Sequence, residues 1–298
     1  MFSVLILTRN EQQDLPGCLE SLGFCDDIVV YDSFSTDNTC SIALSNGARF
    51  VQRPGQDPDV AFGGDEGFHR TWGLREIVFQ HPWLLVLDAD ERLSSACLNE
   101  ISRLLSSSSI QSSTPTSVPP VAYRIRRRDF FQGRHLKHVQ ATPWYIRLFR
   151  PEFVHYERLV NPITVVNGPV GSLTHCIDHY PFSKGLSHWV DKHNAYSTLE
   201  ALELANSPSL SPRRSNLIFS LITRDFHTRR ASQKRLFYLL PARPLFRFFL
   251  LYFIKLGFLD GSPGFTYALL QAIYEYLIVL KQRELRRPHL PGPTPSLL

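Results

Sequence analysis

Strand-like and helix-like segments alternate through the first hundred residues, and this alternation restricts the fold more than any other feature of the chain. Val4-Leu5-Ile6-Leu7 is a short buried-strand pattern, and Asp14 to Leu22 follows with a polar start and Leu15, Leu19 and Leu22 on one helical face. Ile28 to Tyr31 is a second strand, Asn38 to Asn46 a second helix closed by Gly47, and Phe50-Val51 a brief third strand. A helix over about Phe68 to Phe79 then precedes the apolar strand Trp83 to Leu87. Such interleaving predicts βαβ units and a mainly parallel sheet with both faces covered, which places ligands beyond the carboxyl ends of the strands. The polar residues directly after each strand are therefore the candidates for chemistry.

Three such loops stand out. Asp88-Ala89-Asp90-Glu91 follows Leu87, and carboxylates one residue apart at the end of a buried strand converge on one point, which suits a hard divalent cation bridging to phosphate oxygens. Asp32 opens the run Asp32-Ser33-Phe34-Ser35-Thr36-Asp37-Asn38-Thr39, where it can accept from a base or ribose donor; Asp37 is equally explained as part of a helix start. The third loop is Thr8-Arg9-Asn10-Glu11, after the first strand.

Charge is divided unevenly. Residues 1–100 hold 6 Lys and Arg against 16 Asp and Glu, a net of −10, whereas residues 101–298 hold 26 against 11, a net of +15. An acidic part suits a cation and a basic part an anionic surface. Between Arg213 and Lys255 ten basic residues and one acid, Asp225, are interleaved with Leu, Phe and Tyr. The apolar stretch Phe248 to Ile254 is far short of the roughly 20 residues of a spanning helix, and Pro241 and Pro244 break the helix ahead of it. That composition describes either a segment lying in the membrane interface or an amphipathic helix on the core with a solvated basic face. Residues 106–120 are a Ser/Thr/Pro stretch that reads as an exposed loop, and residues 121–173 mix aromatic and β-branched residues that suggest strands flanking the first sheet. Residues 186–205 have helical composition. The five cysteines are scattered and never in a C-x-x-C pair, which argues against a disulfide framework or structural zinc and fits a reducing compartment, as does the absence of a signal-peptide pattern ahead of Val4.

The loops T-R-N-E, D-S-F-S-T-D-N-T and L-D-A-D-E, in that order and spacing, resemble the family 2 glycosyltransferases. The resemblance implies an α/β GT-A domain, a Rossmann-like nucleotide-sugar-binding fold, over 1–205 with a C-terminal helical membrane-interface extension over 206–287 and a Pro-rich tail over 288–298. It implies that Thr8, Asn10, Glu11, Asp32 and Asp37 line the nucleoside pocket and that Asp88 and Asp90 serve ribose, Mg²⁺ or Mn²⁺ and diphosphate. Arg70, in H-R-T-W-G-L, would sit near the nucleotide or else be a surface helix arginine. The segments F-F-Q-G-R-H-L at 130–136, R-L-F-R at 147–150, N-G-P-V-G-S-L at 167–173, H-Y-P-F-S-K-G-L at 179–186, W-V-D-K-H-N-A-Y-S at 189–197 and G-F-L-D-G at 257–261 look like bacterial members that build lipopolysaccharide core or exopolysaccharide. Many of these carry N-E-H or H-E where this chain has Asn161-Pro162-Ile163, so the acid often taken as their base is absent.

The implied activity is an inverting, metal-dependent transfer from a UDP-linked nucleotide sugar to a lipid-linked or growing glycan acceptor, at the inner face of the cell membrane. Inversion needs a base for the acceptor hydroxyl, and Glu157 or Asp178 is the remaining acid in the right region; His179 would orient a phosphate or the acceptor. The alternative is a catalytically inactive scaffold that keeps the fold and an anionic membrane contact. Charge alone would permit a nucleic-acid binder, but no base-reading motif is present.

Overall fold

The computed structural model describes residues 1–107, 118–140, 143–157, 162–206 and 242–286. The core of the Ser/Pro loop, Asn161, the basic run 207–241 and the tail 287–298 lie outside them. The chain divides into two compact units, Met1–Leu186 and Ser187–Leu298, so the helix expected over 186–205 falls with the C-terminal unit.

The first unit opens with β1 (Ser3–Thr8), α1 (Leu15–Glu20), β2 (Ile28–Asp32), α2 (Thr39–Ser45), β3 (Arg49–Gln52), α3 (Glu66–Glu76) and β4 (Leu84–Asp88). These strands pair in parallel in the order β3-β2-β1-β4. Both faces of β1 are buried, which is why its sequence is a continuous apolar run and does not alternate. On one face Val4, Ile6, Val30, Leu85 and Leu87 pack with Leu15, Leu19 and Ile101; on the other Leu5, Leu7, Tyr31 and Val86 pack with Leu74 and Ile77. Gly73 of α3 lets that helix lie against Tyr31, since a Cβ there would come within 2.8 Å of the ring.

After β4 the chain forms β5 (Glu91–Leu93) and α4 (Ser95–Ser107), a helix the sequence reading did not anticipate. The flanking strands expected over 121–173 are β6 (Ala122–Phe131), β7 (Arg134–His135), β8 (Trp144–Phe149), β9 (Val154–Glu157), β10 (Ile163–Val166) and β11 (Val170–His179). They extend the sheet to β3-β2-β1-β4-β8-β6-β11-β5, with β8 and β5 antiparallel to their neighbours, while β9 and β10 form a separate hairpin. The whole is a mixed α/β sheet, parallel at its first four strands.

The second unit contains α5 (Gly185–Asn206), α6 (Arg243–Phe249), which runs on as a π turn over Leu250–Ile254, a 3-10 turn over Gly257–Asp260, and α7 (Gly261–Arg286). Pro244 sits in the first turn of α6, where its missing N–H costs nothing, and Pro241 lies outside the described residues. His193 of α5 meets Tyr274 of α7 edge-on at 5.0 Å, and Lys281 Nζ donates to the Asn194 carbonyl at 2.6 Å. No helix among the described residues is long and apolar enough to cross a membrane. All five cysteines are free.

Candidate active site

Parallel register brings the strand-end residues together. Thr8 faces Asp32 across β1 and β2, and Leu7 faces Asp88 across β1 and β4. In the order 3-2-1-4 the strand order reverses at β1, which makes the carboxyl ends of β1 and β4 the usual ligand position in such a sheet.

The loops after β1 and β2 are laced to each other. Asn10 adopts a left-handed backbone (φ 55°); its N–H donates to Ser35 Oγ at 2.7 Å and its Oδ1 accepts from Thr36 N at 2.8 Å. Glu11 N donates to Thr39 Oγ1 at 2.8 Å, and Gln12 N to Asp37 Oδ2 at 3.1 Å. Asp37 also accepts from Thr39 N at 3.0 Å, so its carboxylate anchors the start of α2, the helix-start alternative of the sequence reading. Asp32 is fully buried and accepts from Thr8 Oγ1 at 2.8 Å, Ser35 N at 2.8 Å and Gln52 Nε2 at 3.0 Å. A nucleoside donor reaching Asp32 would have to exchange with one of these.

Glu11 lies near the metal-seeking acids. Burial raises its carboxyl from 4.5 to about 7, outweighing Lys184 Nζ at 2.7 Å, and Asp90 and Asp14 push the same way. Between those pH values the folded chain holds a proton at Glu11 that the unfolded chain has released, so this group makes stability fall as pH rises through the window. Glu11→Gln is expected to flatten the pH dependence of urea unfolding between 4.5 and 7 relative to the parent chain, and Lys184→Ala to carry the window higher. Identical slopes for the parent and Glu11→Gln would refute the assignment.

The D-A-D-E turn is held from behind by guanidinium groups. Arg147 of β8 donates through Nη2 to Asp88 Oδ2 and to Glu91 Oε1, both at 2.7 Å, and Arg70 Nη2 lies 3.3 Å from Asp88 Oδ1. Arg70 is thus not a surface arginine: its side chain is 13% exposed and also pairs with Glu66 at 2.7 Å. Burial alone would favour the neutral acid at Asp88, but Arg147 and Arg70 hold it ionised far below the usual carboxylate range. Glu91, completely buried, is pushed up by that burial against the pull of Arg147, and its Oε2 accepts the Asp88 N–H at 3.0 Å.

The second aspartate faces a histidine. β11 pairs with β5 and β6 so that His179 stands opposite both Glu91 and Asp129. His179 Nε2 lies 3.3 Å from Asp90 Oδ2 and its Nδ1 2.6 Å from Asp129 Oδ1. Burial disfavours the imidazolium, yet Asp90 and Asp129 overcome it and raise His179 to about 9.

A divalent ion fits this donor set in part. Among the described residues no group of three or more metal-ligating side chains exists, and Asp88 has an arginine on each oxygen. Asp90 would be the carboxylate ligand of such an ion, and His179 could join it only by giving up the proton that Asp90 and Asp129 hold on it, with phosphate oxygens and water completing the ligation hard cations take in nucleotide sites.

Neither expected base is drawn into this cluster. Glu157 is on the β9–β10 hairpin, 61% exposed and 3.3 Å from His155, while its neighbour Tyr156 lies under Arg70. Asp178 alternates with His179 along β11 and so faces the other side, where Arg128 pairs with it at 2.6 Å. The sequence reading did not assign Arg147, Arg127, Asp129 or Lys184 a role, although Arg147 and Lys184 stand inside the R-L-F-R and H-Y-P-F-S-K-G-L segments.

The strand-order switch thus carries paired acids backed by cations, a charge-dense strand-end cluster at the usual ligand position of such a sheet. The protein's relatives narrow the class: over nearly its whole length the chain is similar to bacterial glycosyltransferases. It is 28% identical over 291 residues to the lipopolysaccharide core biosynthesis glycosyltransferase LpsC of Rhizobium meliloti, covering 94% of this chain and 90% of that protein. An uncharacterized glycosyltransferase of Rickettsia typhi is 24% identical over 295 residues, 95% of this chain and 87% of the relative. No family model matches the chain. Among solved structures, S. aureus TarS 1-349 covers 97% of this chain and 93% of its own with 13% identity and a TM-score of 0.38, too low to assign a fold by superposition.

Proposed function

We propose that the chain is an inverting family 2 glycosyltransferase of GT-A type that transfers a sugar from a UDP-linked donor to a lipid-linked or growing glycan, in the building of lipopolysaccharide core or a related cell-surface polymer. The observation that carries this reading is the convergence of Asp88, Asp90 and His179 at the switch point of the sheet, in a chain with whole-length glycosyltransferase relatives. Asp90 with His179 would hold Mg²⁺ or Mn²⁺, which when bound offsets the charge of the diphosphate leaving group. Arg70 and Arg147 hold Asp88 by both oxygens, and Asp88 would serve the ribose from there.

In the transfer, the bond from the anomeric carbon to the phosphate oxygen breaks with its electron pair leaving on the nucleoside diphosphate. The acceptor oxygen bonds to that carbon from the opposite face, and its proton passes to a carboxylate. Glu157 is the better proposal for that carboxylate, being accessible on its hairpin, whereas Asp178 is already occupied by Arg128. The location proposed is the cytoplasmic membrane face, where the basic stretch from Arg213 to Lys255 would meet anionic lipid.

The test is a panel of nucleotide sugars with Mn²⁺ and the purified chain, following release of nucleoside diphosphate. Release from one UDP-linked donor, suppressed by chelator, is expected. Failure to release nucleoside diphosphate from any donor, with acceptor glycans supplied, would leave the inactive scaffold as the better reading.

A further inference from the structure

The second unit turns an extended apolar face to its surroundings. On α7, Phe265, Leu269, Ile273, Tyr276 and Leu280 recur every three or four residues, so they form one stripe of about 22 Å along the helix, each 40–49% exposed. The opposite face of α7 is the packed one, with Tyr267, Ala268, Leu270, Ala272 and Ile278 buried. The α6 segment adds Leu245, Phe246, Phe249, Phe253 and Ile254, with Leu245 and Ile254 at 73% and 62% exposure, and the turn before α7 adds Leu256, Phe258 and Leu259. Phe248 does not belong to this face: it is half-buried against Tyr252 and Phe265.

A soluble surface rarely exposes so many large apolar side chains together. Three features say what covers them. The face is aromatic-rich, the composition that favours the boundary between acyl chains and headgroups. Its charges are one-sided: of the acids in 242–286, Asp260 and Glu275 are buried and only Glu284 is exposed, whereas Lys255, Arg283 and Arg286 are exposed cations. The neighbouring sequence 213–235 carries seven further Lys and Arg against Asp225. An apolar, aromatic face flanked by cations complements an anionic bilayer.

We propose that the α6 segment and the α7 stripe together form a seat that lies in the interface of an anionic membrane, with its apolar side chains below the headgroups and its cations among them. The proposal rests on the membrane location given above and names the surface that provides it. The surface is shared between the α6 segment with its following turn and α7, all within the region 206–287 expected from sequence to lie at the membrane interface.

The experiment uses the full chain in flotation with vesicles of phosphatidylcholine containing phosphatidylglycerol, across a salt series, with Phe249→Ser/Phe253→Ser and Leu269→Gln/Ile273→Gln as paired variants. All four sites are exposed, so folding should survive, and far-UV circular dichroism checks it. Binding of the parent chain should weaken with salt yet leave a salt-resistant fraction. Each paired variant should weaken that fraction on the order of tenfold, since two partly buried side chains are lost from the apolar contact. As a second reading, F253W and I273W should each be quenched by lipids brominated in the upper acyl chain. Parent and variants floating alike would overturn the surface while leaving membrane attachment in place. A parent chain that stays unbound at low salt would overturn both. A concentration-dependent dimer that the same variants dissolve, without flotation, would show that a second copy covers the face and would overturn the proposal. Nucleoside diphosphate release is read in a separate assay, so the transfer reaction can stand or fall independently.

Discussion

Asp90→Ala should lower nucleoside diphosphate release from the donor sugar about 10³-fold, corresponding to about 4 kcal/mol of lost transition-state stabilisation, the scale of removing a principal electrostatic contact from a leaving group. The fold should be little affected, because Asp90 is a partly exposed strand-end carboxylate and His179 keeps its 2.6 Å contact to Asp129 when Asp90 is gone. Mn²⁺ binding, followed by the electron paramagnetic resonance of the free ion in the presence of UDP, should weaken in parallel. Full turnover by the variant, or undiminished activity in excess chelator, would show that the metal is not held there.

The largest effect on stability is expected at Arg147. Its Nη2 is shared by Asp88 and the completely buried Glu91, so Arg147→Ala leaves two carboxylates without their common cation. Breaking a buried ion pair from one side costs about 3–5 kcal/mol. In a unit of this size the midpoint of thermal unfolding should fall by on the order of 10 °C. Much of the loss should return in Arg147→Met/Glu91→Gln, which removes the buried charge along with its partner. If scanning calorimetry shows Arg147→Ala within 1–2 °C of the parent, a range set by about 0.5 kcal/mol, the guanidinium is not the support of the D-A-D-E turn.

How much of this was legible in the sequence follows from what is local. β1, β2 and β4 are buried on both faces, so each reads as an unbroken apolar run, and the polar residue that ends it, Thr8, Asp32 or Asp88, falls at the carboxyl end of the sheet by geometry alone. Asp32, Asp88 and Asp90 could be picked out for that reason. Their partners could not. Arg147 reaches Asp88 across 59 residues and His179 meets Asp129 across 50, contacts fixed by the insertion of β8 between β4 and β6 and by the parallel pairing of β11 with β6. No periodicity in β8 or β11 announces those pairings. The same holds for the apolar stripe of α7, since a helix with large apolar residues on both sides gives little sign of which side is covered. Sequence nearness was the only ground for choosing Glu157 and Asp178 as bases, and a strand's alternation sends Asp178 away from the face that His179 serves.

The lacing of the first two loops has a consequence for anyone wishing to exchange either of them. Asn10, Glu11 and Gln12 are tied to Ser35, Thr36, Asp37 and Thr39 through backbone amides as well as side chains, and Asn10 is kept in its left-handed backbone by these ties. Grafting a foreign sequence into one of them leaves the other reaching for partners that are no longer present. The transplantable module is therefore the pair, two stretches of chain some 25 residues apart that have to be exchanged together, as a hinge is replaced with both of its leaves.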